Sequence, residues 1–581
     1  MRILGVGLLV AISGFAQLSP TQKQQDFLNL AGLFNKQYGP YEWKKQLFNF
    51  DLLDVRPWLT RVAASKDDLE FLDLCQEYTS SFRDGHVFFS IPASFNVHIP
   101  ISVDIYDGKV LVEVISRVAF PLPTAPILRG DEIVSLDGKP INDVITSLLR
   151  YGGSDANPRG NRRGAADFIF FRPQSRILGA ALLDGNVSIG VRHQGSAEVK
   201  TYETPWIKFG EPIRTLGLVP TLNGSRVLRL LASGATRPAI AAEGPVWQQA
   251  LWELGYSADD SHPSGNDHGE EIFHGVTGRG ATQPVFTLPA GFIRRVGVTN
   301  ADNFLTGTYT SGGKRIGYIR VPRMTPNGLF AGALAQFGTE IAFLEANTDG
   351  LVVDVMRNPG GIIEYGHSLS GYFVSTPQPA VGFELRATLA RITNLSNQIA
   401  SLRAQQSPTW VIQLFERVLA DVKTAYSENR GLTGPLPLDR PYLEIYPAVD
   451  AAFRPNVYTK PMIILIDEFS VSTADLFPAV LQDAGRAKLV GYRTGGLGGT
   501  NGSFYSGVYS ETSTGVTFGL MVRPKAITAD GFPTTQYIEN VGVRPDIELD
   551  YMTTANLLQF GAPFVQEFTR ILLEEINKPP Q

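Results

Sequence analysis

The stretch Phe469–Asp475, FSVSTAD, constrains this chain more than any other. It follows an apolar run, Met462–Ile466, and opens into a helical pattern at Leu476–Leu481. β-type residues, a short turn and then a helix give the geometry of a nucleophile elbow. Such a turn lifts one serine out of a sheet and aims the N–H groups of the helix start at whatever that serine attacks. Ser472 stands at the turn. The motif is not the G-x-S-x-G of the α/β-hydrolases, and most serines before a helix simply cap it. This segment alone therefore leaves Ser470 and Ser472 open as helix caps.

A second segment lies about 110 residues upstream. Leu351–Met356 (LVVDVM) reads as a buried strand, and Arg357–Gly361 (RNPGG) follows it. Two consecutive glycines let backbone N–H groups approach a ligand without an intervening Cβ, which is how an oxyanion hole is built from main chain. An ordinary Pro-Gly turn is the plainer reading. Two such turns, each closing an apolar strand and opening a helix, are less common than either alone.

With both segments in view, the chain resembles the C-terminal-processing (tail-specific) family of serine peptidases. The resemblance rests on Gly317–Met324 (GYIRVPRM), Leu351–Gly361, Ile463–Gly496 and Tyr537–Asp550 (YIENVGVRPDIELD), in that order. It implies Ser472 as nucleophile, with Gly360 or Gly361 and Thr473 supplying the oxyanion donors. Common members use a serine–lysine dyad, whose lysine would fall on Leu497 here, inside GGLGGT. Lys488 stands nearby at the wrong spacing, which argues against a dyad. A branch that includes tricorn protease and the chlamydial protease-like activity factor uses serine, histidine and glutamate. By that resemblance the base is His86, in RDGHVFF, and its partner is Glu539, in ENVGVRP. A histidine suits the task because its pKa lies near neutrality. Alone, His86 reads as a turn histidine and Glu539 as a solvated strand-edge charge. His98 and His367 are the alternative bases. The chlamydial factor resembles this chain along nearly its whole length.

The resemblance also implies the fold: an α/β protein with a crotonase-like ββα catalytic core, an N-terminal helical region and an inserted PDZ-like domain. Pro126–Gly152 carries the turn, strand, Asp-Gly turn and helix of a PDZ-like core, whose sheet edge accepts an extended peptide. The expected organisation is a signal peptide at 1–16, helices and the candidate base at 17–96, the PDZ-like domain at 97–209, a linker at 210–312 and the catalytic core at 313–581. Strands near Ile316–Val321, Leu351–Val355, Met462–Ile466 and Leu489–Gly491 alternate with helices at Leu329–Glu345 and Ala474–Gln482, the pattern of a layered α/β core. Trp43, Leu47, Phe48, Trp58 and Leu59 are expected to form a small core within Pro20–Glu77. The helical insert Leu385–Tyr426 is expected to cap the cleft. The apolar stripe of Pro563–Asn577 reads first as intramolecular core, with a homodimer contact as the alternative.

At 581 residues the chain calls for three or four domains. Its net charge of −5 shows no basic cluster, so neither nucleic acid nor an anionic membrane surface is expected as partner. A single cysteine, Cys75, excludes an internal disulfide framework and makes a thiol mechanism a poor choice. Arg2, the apolar Ile3–Ile12 and the small residues up to Ala16 read as an export signal, too short to span a membrane. An exported protein, periplasmic or extracellular, is expected. Ser257–Gly280 is rich in Gly, Ser, Asp and His and reads as an exposed loop. By resemblance it is a candidate inhibitory segment. His262, His268 and His274, with Asp259, Asp260 and Glu270, fit no metal geometry, and no cofactor is expected. Three functions suit these residues: a serine endopeptidase acting on polypeptides, a ligand-binding protein on the same fold, and a hydrolase of esters or non-peptide amides.

Overall fold

The computed structural model describes residues 17–49, 51–52, 54–152, 157–216, 245–255, 278–299 and 302–579. The first part is helical as the periodicity requires: α1 (Pro20–Gln37), α2 (Tyr41–Phe48), α3 (Arg56–Ala64) and α4 (Asp68–Ser80). Ser19 and Gln22 close a capping box over α1, and the Asp67 carboxylate caps α4, so side chains set both starts. Phe27, Phe34, Tyr78 and Phe82 pack largely edge-on in the core between these helices, with Trp58 and Leu59 against them. Trp43 does not join this core. It packs with Leu47 on Val541 and Ala529, from the far end of the sequence. The turn after α4 carries His86 and leads into β1 (Phe89–Ser90).

Next comes an antiparallel sheet in chain order: β2 (Ile101–Tyr106), β3 (Lys109–Ile115), β4 (Glu132–Leu136), β5 (Asn186–Arg192) and β6 (Val199–Pro205). Asp137 and Gly138, both at positive φ, make the Asp-Gly hairpin turn beyond β4. Helices α5 (Ile141–Leu148) and α6 (Pro158–Asp167) cover one face, and their apolar sides share a core with Val103, Val112, Ile133 and Ile189. A short helix, α7 (Val246–Gly255), docks Leu251, Trp252 and Leu254 onto the main core of the molecule.

The rest of the chain builds that main core. Its elements are β7 (Ile293–Val296), β8 (Leu305–Ser311), β9 (Lys314–Arg320), α8 (Phe330–Asn347), β10 (Gly350–Asp354), α9 (Ile363–Gly371), β11 (Gly382–Leu385), α10 (Leu389–Ala404) and α11 (Thr409–Ser427). They continue with β12 (Met462–Ile466), α12 (Thr473–Asp483), β13 (Lys488–Gly491), β14 (Gly499–Tyr505), β15 (Ser513–Ile527), β16 (Thr535–Tyr537), β17 (Ile547–Glu548) and α13 (Ala562–Ile576). One sheet runs β7-β8-β9-β10-β12-β13-β17, parallel from β9 onward. Its middle strands are buried on both faces, which is why they read as unbroken apolar runs. The stripe of α13 covers one face: Phe564, Phe568, Ile571 and Leu572 lie against Val352, Ile463 and Leu465. That stripe is intramolecular core. On the other face pack α8, α9, α12 and the hairpin of α10 and α11, which is part of the core through Leu395, Leu414, Phe415 and Val418.

A second sheet is organised by β15, 15 residues long, which pairs with β1, β11, β14 and β16. It joins the segment after His86 to the segment before Glu539. The four catalytic-core strands and two helices expected from sequence are all present, shifted at their ends by two residues or fewer.

Candidate active site

Parallel strand β12 ends at Ile466, and the chain turns sharply before α12. Ser472 sits at that turn with φ 59° and ψ −118°, a conformation that a residue with a Cβ adopts only under strain. The surrounding contacts hold it there. Ser470 Oγ donates to the Val355 carbonyl at 2.8 Å and accepts from the Asp467 N–H at 3.1 Å, so Ser470 ties β12 to β10. The Val471 N–H donates to the Asn358 carbonyl at 3.0 Å. Below the turn, Asp475 Oδ2 accepts from the Ser472 N–H at 2.7 Å and the Leu497 N–H at 3.1 Å, while Oδ1 accepts from the Gly496 N–H at 3.0 Å. Burial pushes the Asp475 carboxyl up to about 6, against the lowering effect of these hydrogen bonds. The spacing S-x-x-D is a capping-box signal. That spacing makes Asp475 legible from the sequence.

The glycine pair lies directly behind the serine. A Cβ on Gly360, whose φ is +87°, would sit 2.6 Å from the Val471 carbonyl oxygen and 2.7 Å from Ser472 Cβ. A Cβ on Gly361, at φ +141°, would meet Met324 and the Thr325 hydroxyl inside 2.7 Å. Only glycine fits either place. The Gly360 N–H donates to Asn358 Oδ1 at 2.9 Å, and Asn358 is itself fixed by its Nδ2 on the Val321 carbonyl. Thr473 Oγ1 donates to the Gly361 carbonyl at 2.6 Å. Neither the Gly361 nor the Thr473 N–H has an acceptor among the described residues.

His86 is carried by the turn Arg83–His86, where Arg83 takes φ 50° and the Asp84 carboxylate accepts from the His86 N–H at 2.9 Å. The imidazole is buried. A Cβ on Gly85 would collide with Leu497, and one on Gly499 would lie 3.8 Å from His86 Nδ1. Glu539 reaches the same loop from the other side: its Oε2 accepts from the Gly498 N–H at 2.9 Å. The glycine-rich segment from Thr494 to Gly499 thus touches Asp475 of the elbow, His86 and Glu539. Leu497 fills the place where a dyad lysine would stand.

Glu539 is fully buried, and its Oε1 accepts from Lys44 Nζ at 2.5 Å. Burial pushes its carboxyl up to about 7, the Asp84 carboxylate adds to this, and Lys44 and His86 oppose it. Tyr38 donates to Asp84 at 3.0 Å.

The elbow is also tied to the first sheet through buried charge. Arg163 of α6 bridges Asp104 of β2 (2.5 Å) and Glu468 (3.0 Å), and Arg159 binds Glu468 at 2.6 Å. Arg357, at φ 55°, reaches Asp104 at 3.5 Å, and Arg163 and Arg279 both lie over the Phe469 ring. Removing one partner from such a cluster strands a buried charge.

The other candidates lie elsewhere. His98, in the short strand Asn96–His98, stacks on Phe209, and burial lowers its pKa. His367 is in α9 with Nδ1 3.0 Å from Asp439, and burial lowers its pKa as well. Lys488 begins β13 and is exposed. Cys75 is buried, and burial pushes its thiol well up, away from thiolate chemistry. The expected signal peptide, most of the Ser257–Gly280 loop and the histidines 262, 268 and 274 fall outside the described residues. Among the described residues there is no group of three or more His, Cys, Asp or Glu side chains that could hold a metal, and no helix is long and apolar enough to cross a membrane.

Residues 95–214 match the model of a PDZ domain, and residues 315–549 match that of peptidase family S41. A protein of Chlamydia muridarum is 25% identical over 601 residues, covering 95% of this chain and 92% of its own length. One of Chlamydia trachomatis serovar D is 23% identical over 632 residues, covering 99% and 98%. Among solved structures, mature CPAF superimposes with a TM-score of 0.73 at 20% identity, over 97% of this chain and 99% of that one. Mature CPAF complexed with lactacystin gives 0.71 at 20% identity, over 96% and 99%. These likenesses give the fold along almost the entire chain, and the S41 match covers the elbow, the glycine pair and the Glu539 segment together. Residues 315–549 of this chain therefore form a peptidase family S41 domain, and the protein is a serine peptidase.

Proposed function

We propose that this chain is an exported serine endopeptidase that cleaves polypeptides through an acyl-enzyme, with Ser472 as nucleophile, His86 as general base and Glu539 as its orienting partner. The observation that carries this reading is the strained backbone of Ser472, held between Gly360 and the Asp475 carboxylate, which also binds the loop that carries the Gly498 N–H to Glu539 and lies against His86. Strain of about 1–3 kcal/mol persists where surrounding structure enforces it, and such positions cluster at active sites.

In the acylation step Ser472 Oγ attacks the peptide carbonyl carbon while its proton passes to the His86 imidazole. The carbonyl oxygen becomes an oxyanion. The Gly361 and Thr473 N–H groups suit its binding, since neither is spent on a protein acceptor among the described residues. The imidazolium returns the proton to the leaving amine, and the C–N bond breaks. Water then repeats the sequence on the acyl-serine and releases the acid. Glu539 holds the imidazole and offsets its positive charge.

Extended substrate backbone suits the outer edge of β6 in the PDZ domain, which ends its sheet. Export is proposed from Arg2, Ile3–Ile12 and Ala16. One experiment tests the core of this reading. Wild-type protein should take a fluorophosphonate label at a single serine and degrade unfolded casein, and Ser472→Ala should do neither. Labelling without proteolysis would point to a non-peptide hydrolase, and equal labelling of both proteins would remove Ser472 from the mechanism.

A further inference from the structure

The N-terminal helix α2 delivers two consecutive side chains to the far end of the chain. Trp43 Nε1 donates to the Glu539 carbonyl at 3.0 Å. Lys44 Nζ donates to Glu539 Oε1 at 2.5 Å, to Asn540 Oδ1 at 2.8 Å and to the Arg83 carbonyl at 2.7 Å. All three ammonium donors are spent, and both Lys44 and Glu539 have side chains 0% exposed. A fully buried lysine is rare and is kept only when paired and hydrogen-bonded.

The groups around Glu539 explain why a cation stands here. From the turn after α4 come the Asp84 carboxylate and His86. From α1 comes Tyr38, a neutral donor to Asp84. The glycine-rich loop contributes the Gly498 N–H, with Asp475 on its opposite side. Arg493 spends its guanidinium on the Asn540 and Val541 carbonyls, and Arg83 lies over the Phe48 ring. Two buried carboxylates thus share this space, and like charges in one site drive one of them to take a proton. Lys44 is the fixed positive charge that contacts Glu539.

We propose that Lys44 is a positioning residue of the active site, whose ammonium favours the carboxylate form of Glu539 and fixes that side chain beside His86, so that the imidazolium formed in each step is met by negative charge. This rests on the assignment of Glu539 as the partner of His86. Lys44 supplies one fixed positive charge against the two carboxylates of Asp84 and Glu539, and the imidazolium formed during a step supplies a second. Without Lys44 a proton settles on Glu539, and the resting cluster no longer calls for a charged imidazole.

The test uses the full chain and the pH dependence of kcat/KM on unfolded casein, with fluorophosphonate labelling rates as a parallel readout. Lys44→Met should lose about 10- to 100-fold at pH 7. Its acidic limb should move up by about one pH unit or more, because Glu539 now ionises only at higher pH. Lys44→Arg should keep the limb near that of wild type. Lys44→Met combined with Glu539→Gln should be no slower than Glu539→Gln alone. If Lys44→Met does not fold, Lys44→Gln, one bond shorter, keeps a polar donor while removing the charge, and the same shift is expected. An unmoved limb in the neutral variants, with Glu539→Gln still severely impaired, would overturn the role of Lys44 and leave the triad standing. Wild-type activity in Glu539→Gln would overturn the triad assignment, and this proposal with it.

Discussion

Gly360 and Ser472 stand back to back, so closely that a Cβ on the glycine would lie 2.7 Å from the Cβ of the serine. The glycine pair and the elbow come from the ends of neighbouring parallel strands, β10 and β12. The sheet register therefore sets their approach, and no loop has to find it.

Gly360→Ala should disturb the site first and the fold second. The added methyl group meets the Val471 carbonyl as well as Ser472, and φ +87° is unfavourable for alanine. The expected cost is about 1–3 kcal/mol of stability and a loss of labelling by fluorophosphonate of about 100-fold or more. Thermal melting and labelling rates check both. Wild-type labelling in this variant would show that the close approach is not needed.

Ser472→Ala and Ser472→Gly should both be inactive, yet they should differ in stability. Glycine adopts φ 59°, ψ −118° without the Cβ penalty, so it should relieve strain that alanine keeps. Ser472→Gly is expected to melt above Ser472→Ala, by about 1 kcal/mol in stability. Equal melting points would mean that the elbow stores no strain.

His86→Ala should lose activity by several orders of magnitude and Glu539→Gln somewhat less, while Lys488→Ala, at an exposed strand start, should leave kcat/KM near wild type. His367→Ala should lower stability modestly by removing one of the two partners of buried Asp439, which keeps Arg440, and leave the pH profile in place. Kinetics across pH 5–9 separates these outcomes. Inactivation by Lys488→Ala with activity kept in His86→Ala would restore a lysine mechanism.

Glu364, on α9, provides a stability test away from the chemistry. Burial pushes its carboxyl up to about 7, although Trp252 Nε1 donates to it at 2.9 Å. A carboxyl raised in the folded state contributes stability that is present below its unfolded pKa near 4.5 and is lost as pH rises through about 7. Glu364→Gln removes this loss. The melting temperature of the variant relative to wild type should therefore climb between pH 5 and pH 8, by about 1–2 °C. A constant difference over that range would contradict the raised pKa.

Much of the fold was legible because its strands are buried on both faces. Leu351–Val355 and Met462–Ile466 are continuous apolar runs, and the turns that follow them carry the glycines and the serine. β15 is not legible in the same way, since its register depends on partners scattered through the sequence. Asp475 carried a local spacing signal. Asn358, which occupies the Gly360 N–H, and Lys44, buried against Glu539, carried none. A lysine on a short helix reads as a solvated charge until the partner segment is known. The same holds for Trp43, whose apolar partner Val541 is supplied from the other end of the chain.

The contact between Lys44 and Glu539 joins residues 495 positions apart. A ribosome makes the helix that bears Lys44 and the turn that bears His86 early, and makes the elbow and Glu539 in the last stretch. Until that stretch has emerged, the nascent chain holds an imidazole with no serine to deprotonate and a lysine with no carboxylate to meet. On the triad reading, a chain of this peptidase still being made cannot cleave itself or its neighbours, because the order of translation itself withholds its active centre.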